Sequence, residues 1–160
     1  MSLPPFEQVV DEHGEVVLRV CRGLAGPGDA EEVWSETFLA ALAAYPRLRP
    51  QSNIRGWLLT IARNKAIDLA RAGAREPVPV ESVPETPVPE ARRREADAPV
   101  WAALAALPAK QRGAVAYHYL ADLPYTEVGR LLDTSEAAAR RSAADGLASL
   151  RKTLAEEDRR

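Results

Sequence analysis

Trp57, Asn64, Asp68 and Arg71 are spaced by seven, four and three residues. At 100° per residue they gather on one face of a helix, with Arg63 beside them. An aromatic plane, an amide and arginines on one exposed face are parts suited to single-stranded nucleic acid. The indole can stack on a base, the amide can bond a base edge, and the arginines can neutralise phosphates. The same spacing also fits a solvated helix face around an ordinary core tryptophan, and spacing alone leaves both open. A second cluster lies far downstream, where Ser135 precedes Arg140 and Arg141 near the start of a helical stretch. Free N–H groups at a helix start favour phosphates, and arginines there can reach phosphates or a guanine edge in the major groove. Asp145, on the same outward face as Ala138, Arg141 and Ser142, opposes this because a carboxylate repels DNA. A purely structural helical hairpin is the competing reading.

Other chemistries lack their parts. His13 and His118 stand alone near apolar helix faces and read as core or boundary histidines. The single cysteine, Cys21, allows no internal disulfide and no metal-ligand spacing, and reads as a small core residue. No carboxylate pairs with a His, Ser or Lys in a catalytic constellation, and no Gly-rich phosphate loop exists. No enzyme, cofactor, metal or small-molecule substrate is therefore expected. The formal charge of −2 says little about partners, because a local basic face can hide inside a neutral total. No basic-then-apolar leader and no uncharged apolar run of roughly 18 residues appears. A cytoplasmic protein without membrane insertion is expected.

The elements that must position these residues are helical. Phe6, Val9, Val10, His13, Val16, Val17, Val20, Cys21 and Leu24 follow the i, i+3, i+4, i+7 pattern and predict a helix over 6–24, stopped by the "GPG" at 26–28. Asp29 with Glu32 reads as a capping-box start. It opens a second helix whose stripe is Trp34, Phe38, Leu42 and Tyr45 and which ends near Pro46. Asn53 caps a third helix over about 54–73, with Ile54, Leu58, Ile61, Ala62, Ala66 and Leu69 facing the core. Glu31, Glu32 and Glu36 read, from the residues alone, as solvated helix charges.

Six of the thirteen prolines fall between 77 and 99, among Glu and Val. Proline cannot continue a helix and biases the residue before it to extended backbone. An extended, mobile linker over 76–98 is predicted, joining units 1–75 and 99–160 that fold independently. In the second unit, helices are predicted over 100–107, from Pro108 to about 123, over 125–132 and over 136–154. The last packs through Ala139, Ala143, Leu147, Leu150 and Leu154, and the break at "DTS" makes the final pair a helix-turn-helix. No convincing strand pattern occurs. The fold class is all-α: a three-helix bundle and a helix-turn-helix unit joined by a Pro-rich linker.

Two stretches then become recognisable. Asp29-Ala-Glu-Glu32, Glu36-Thr-Phe38 and Trp57-Leu-Leu-Thr-Ile-Ala-Arg-Asn64 resemble region 2 of the extracytoplasmic-function sigma factors, a group within the sigma-70 family. "LAALPAKQRGAVAYHYLADLPYTEVGRLLDTSEAAARRSAADGLASLRKTL" is similar to region 4 of the same family, beginning with its Leu-Pro-x-x-x-Arg signature. The resemblance implies a factor that binds core RNA polymerase and directs initiation at promoter DNA, and anti-sigma factors are common partners in that family. It implies a polymerase contact at Glu31, Glu32, Ser35, Glu36 and Phe38. It implies minus-10 contacts at Asn53, Arg55, Trp57, Arg63, Asn64, Lys65 and Arg71, with Gln51 and Ser52 near a flipped base. It implies minus-35 contacts at Thr126, Ser135, Arg140, Arg141 and Ser142. The family pattern has Gln where Ser35 stands, Gly where Asp133 stands, and basic residues along the last helix where Ser142 and Asp145 stand. Weakened reading by region 4 follows, so a degenerate sigma-like regulator acting through protein contacts is the alternative.

Overall fold

Val9, Val17, Val20 and Cys21 lie on one side of a 3.6-residue period and are buried along α1 (Phe6–Ala25). The computed structural model describes residues 2–75 and 99–160; the predicted linker lies outside the described residues. Gly26, at φ 86°, ends α1 in a conformation a side chain would strain. α2 (Ala30–Ala44) runs into a 3-10 turn (Tyr45–Arg47), and α3 spans Ile54–Arg75. These three helices pack on one another. Asn53 caps α3 as expected, its Oδ1 accepting from the Gly56 N–H at 3.2 Å.

Two expectations for α2 fail. Asp29 makes no side-chain cap, since its backbone is already helical (φ −104°, ψ −6°), although its carbonyl accepts the first helical bond from Val33 N–H at 3.1 Å. A residue wound into the helix cannot turn its carboxylate back onto the first amides. Of the expected stripe, Phe38 is buried and Trp34 and Tyr45 pack against the core, but Leu42 does not; Ala30, Val33, Thr37 and Ala41 complete the buried face. Leu42 is one residue, about 100°, past Ala41 and is 52% exposed. Small Ala30 and Ala41 fit between α1 and α3, and the buried Thr37 hydroxyl donates to the Val33 carbonyl at 2.6 Å.

In the second unit a helix, α4, covers 99–105. Ala103, Leu104 and Leu107 pack against Val115 and Leu150. α5 (Ala109–Val115) continues as a π-helical turn (Ala116–Leu120), followed by α6 (Tyr125–Leu132) and α7 (Glu136–Asp158). The π turn replaces the last α turn expected before Leu123. Wider i→i+5 winding of this kind tends to sit where a side chain must be re-aimed. Here Tyr117, 1% exposed, is driven into the core. No strand occurs among the described residues.

The two units do not stand apart, as independent folding had implied. Tyr117, Ala114, Ala121, Leu123 and Val128 join Val9, Val17, Val20, Cys21, Leu58 and Leu59 in one apolar cluster. α1 packs against both the π turn and α5. Burial pushes the Cys21 thiol up to about 12, so it stays a neutral apolar group.

His13, on α1, is half-buried, and its ring is held below the usual histidine range by burial first and by the Arg55 charge second, against a raising effect of Glu12. A depressed folded-state value means the unfolded chain binds a proton that the folded chain refuses. Stability is therefore full above about pH 6.5, the ordinary histidine value, and falls as pH drops from there toward the folded-state value. The urea midpoint should fall between pH 7.5 and 5.5, and His13→Gln should flatten that slope.

Candidate nucleic-acid interface

Asn64 and Arg71 are exposed on the solvent face of α3. The other five candidates on or before this helix are placed differently. Trp57 is half-buried and packs against the core, its ring tilted 37° to Tyr45 with centroids 6.4 Å apart. It walls the core rather than standing free as a stacking platform. Arg63 and Lys65 are two residues apart and so about 200° apart around the helix. Arg63 lines a cleft of about 290 Å³ with Lys110, Gly113 and Tyr117 of the second unit. Lys65 lines a smaller one of about 220 Å³ with Glu32, Glu36 and Asp68. Lys65 thus faces acidic side chains, on the opposite side of the helix from Arg63. Asn53 is committed as a cap, and Arg55 Nη1 donates to the Ala121 carbonyl at 3.5 Å.

The helix-turn-helix forms as expected. Ser135 caps α7, its Oγ accepting from Ala138 N–H at 3.1 Å. Asp133 holds the left-handed conformation (φ 54°, ψ 50°) that the family's glycine takes without strain. Its N–H reaches the Arg130 carbonyl, and Thr134 N–H the Gly129 carbonyl at 2.8 Å, which is the Schellman pattern. Thr126 and Arg141 are exposed and Ser142 is half-buried. Arg140 is engaged: Nη2 donates to Glu136 at 3.1 Å, and its Cζ lies 4.7 Å from the centroid of the Tyr125 ring. Tyr125 stacks on His118 with centroids 3.9 Å apart, and His118 Nδ1 bonds the Leu123 carbonyl at 2.8 Å. The Tyr125 hydroxyl is pushed up by burial and by its bond with Tyr119, with Arg140 opposing. The sequence reading missed this His118–Tyr125–Arg140 column. Its members lie 7 and 15 residues apart on three elements, which no single-helix period reveals.

Asp145 is exposed on α7. Asp145→Arg should raise affinity for minus-35-like duplexes and steepen the salt slope by about one unit for each phosphate newly neutralised. Anisotropy titrations across salt concentrations check this.

On α2, Glu31, Glu32, Ser35 and Glu36 are exposed. Phe38 is not at the surface. It is 7% exposed and packs edge-on against Phe6, with Trp34 4.7 Å away. Its part is to seat α2 on α1. The apolar residues this face does offer are Leu39, 63% exposed, and Leu42. Misphasing the helix by one residue hid them.

Residues 9–76 match Sigma-70 region 2, and residues 98–150 match Sigma-70, region 4. The RNA polymerase sigma factor CarQ of Myxococcus xanthus is 32% identical over 79% of this chain and 75% of its own length. The chain belongs to the sigma-70 family. The ECF RNA polymerase sigma factor SigE of Mycolicibacterium smegmatis is 29% identical over 96% of the chain, which spans 63% of that relative. Factors named for the extracytoplasmic-function group are thus among those the chain is similar to. The fold is similar to that of the sigma factor RpoE solved with the anti-sigma factor NepR from Bartonella quintana. That likeness has a TM-score of 0.75 at 21% identity and covers 93% of this chain and 96% of that one. Among the described residues, no helix is long and apolar enough to cross a membrane, and no group of three His, Cys, Asp or Glu side chains could hold a metal.

Proposed function

We propose that this chain is a transcription initiation factor that joins core RNA polymerase and directs it to promoters, without chemistry of its own. The observation that carries this is the ordered pair of sigma-70 regions, each falling on one of the two helical units. The unit spanning 1–75 meets the polymerase through α2 and the opened minus-10 strand through α3. The unit spanning 99–160 meets the minus-35 duplex through α7, and 76–98 links them. Asn64 and Arg71, exposed on α3, are the foremost strand contacts. Arg141 and Thr126, exposed at the helix-turn-helix, are the foremost duplex contacts.

Reconstitution with core polymerase on a library of genomic fragments tests the reading. Discrete run-off transcripts that depend on the added protein are expected, and their absence overturns it. A second reading, a regulator acting by protein contact, draws on the exposed Asp145 and on the engagement of Arg140 by Glu136 and Tyr125. It predicts polymerase binding without discrete transcripts. An anti-sigma factor is a further partner for this chain, in keeping with the RpoE–NepR complex.

Charge reversal at Glu32 and Glu36 together should weaken core-polymerase binding by about tenfold, the size of one lost close charge pair at an interface. Both residues are exposed and off the buried stripe, so helicity should persist. A titrated pull-down checks the affinity.

A further inference from the structure

The cleft where the two units meet carries positive charge and no negative charge. Arg63 of α3 and Lys110 and Arg112 of α5 line it, and no carboxylate does, in a chain whose formal charge is −2. Neither Arg63 nor Lys110 makes a hydrogen bond or ion pair among the described residues. Arg112 is only partly satisfied. Its Nη1 donates to the Leu24 carbonyl at 3.3 Å and its Nη2 to the Leu107 carbonyl at 3.4 Å, while its Nε is buried without a partner. A buried donor left unpaired is rare in a folded protein. Three cations around one apolar space also repel one another more than they would in water.

The rest of the lining is mostly apolar. Leu24, Ala66 and Ile67 stand on one side, Tyr117 and Leu132 on the other. Ile67 is half-buried but packs into neither apolar cluster, so the core does not claim it. Close packing nearby holds the walls in place. A Cβ on Gly23 of α1 would sit 3.1 Å from Leu120, 3.2 Å from the Ala116 Cβ and 3.3 Å from Leu104, and interiors packed this tightly deform little. With the units docked in this way the cleft is preformed, as small-molecule sites usually are.

We propose that this cleft is a binding site for a small amphiphilic anion, an acidic head on an apolar body. Its volume of about 290 Å³ holds roughly ten non-hydrogen atoms, at the ~30 Å³ that a water-sized group takes in a liquid. The head pairs with Arg63 and Lys110 and accepts from the Arg112 Nε–H. The body lies against Ala66, Ile67 and Leu132. An anion there relieves the repulsion among the cations and supplies the acceptor that Arg112 lacks.

Titration of the full chain with sodium octanoate and with hexyl phosphate tests this. The readouts are the Arg112 Nε–H signal in NMR spectra and the thermal midpoint. Both probes carry an anionic head and an apolar body of suitable size, and comparing them tells whether a carboxylate or a phosphate ester is the preferred head. Saturable one-to-one binding below about 1 mM is expected, with a shifted Arg112 signal and a raised midpoint, because the ligand binds only the folded form. Octanol, the body without the charge, should bind at least about tenfold more weakly, as should acetate, the head without the body. Lys110→Glu, at an exposed position, should weaken both probes by about tenfold or more at unchanged helicity. Ala70→Trp, also exposed and on the cleft wall, should weaken them by filling the space. No saturable binding, binding that leaves the Arg112 signal in place, equal binding of octanol, or full affinity in Lys110→Glu would each overturn the proposal. So would a silent wild type beside a binding triple variant, Glu81→Gln with Glu85→Gln and Glu90→Gln, which would assign the cleft to the chain's own acidic segment.

Discussion

Asn64→Ala should remove promoter-specific run-off product while leaving affinity for core polymerase unchanged. Asn64 is exposed on α3, so truncating its side chain costs the fold little. On the proposed reading its amide bonds a base edge, and a good base-edge contact is worth about 1–3 kcal/mol, roughly 5- to 150-fold in discrimination. With Trp57 packed against the core, stacking offers less compensation than an exposed indole would. Parallel measurement of transcript yield and of polymerase binding separates lost strand reading from lost assembly. Equal loss of both would move Asn64 to the polymerase contact.

The second large effect concerns the helix-turn-helix. Gly129→Ala should destabilise the protein by about 1–3 kcal/mol, the usual cost of forcing atoms into a filled site. A Cβ at this position would lie 2.8 Å from the Thr134 carbonyl oxygen and 3.2 Å from the Ser135 carbonyl. Those atoms are backbone and cannot swing aside. They also belong to the turn that presents Ser135 and the start of α7. The urea midpoint should drop, and minus-35 duplex binding should fall further than stability alone explains. Gly73→Ala, at a position with open space around it, is the control and should leave both unchanged or slightly improved.

What was legible in the sequence was local. The valine stripe of α1, the Ser135 and Asn53 caps, and the Ala139–Ala143 face of α7 each depend on residues within about two turns, where helical spacing decides burial. The Asp29 cap failed for the same reason in reverse, since the preceding turn had already wound its backbone into the helix. Leu42 misled because the C-terminal half of α2 is apolar all round: Leu39, Ala40, Ala41, Leu42 and Ala43 give several equally good stripes, and only the small volume between α1 and α3 chooses Ala41. In the candidate site, Asn64, Arg71 and Arg141 emerged on the surface where spacing put them. Trp57 did not stand free, being claimed by the core beside it; Phe38 is buried, as its place in the α2 stripe implied and against the polymerase contact the resemblance implied. The π turn and the burial of Tyr117 carry no local signal, being set by residues some 60 to 100 positions away.

The close seat of Gly23 against Leu104, Ala116 and Leu120 also constrains how such a chain can diverge. Positions separated by more than eighty residues share one small volume, so a larger side chain at 23 must be offset by a smaller one at 104 or 120, or the seat is lost. Relatives that keep the docked arrangement should therefore show compensating sizes at these positions. In relatives that have abandoned it, residue size at 23 should vary freely. An alignment deep enough to correlate side-chain volume across the two regions would sort the group into those two kinds.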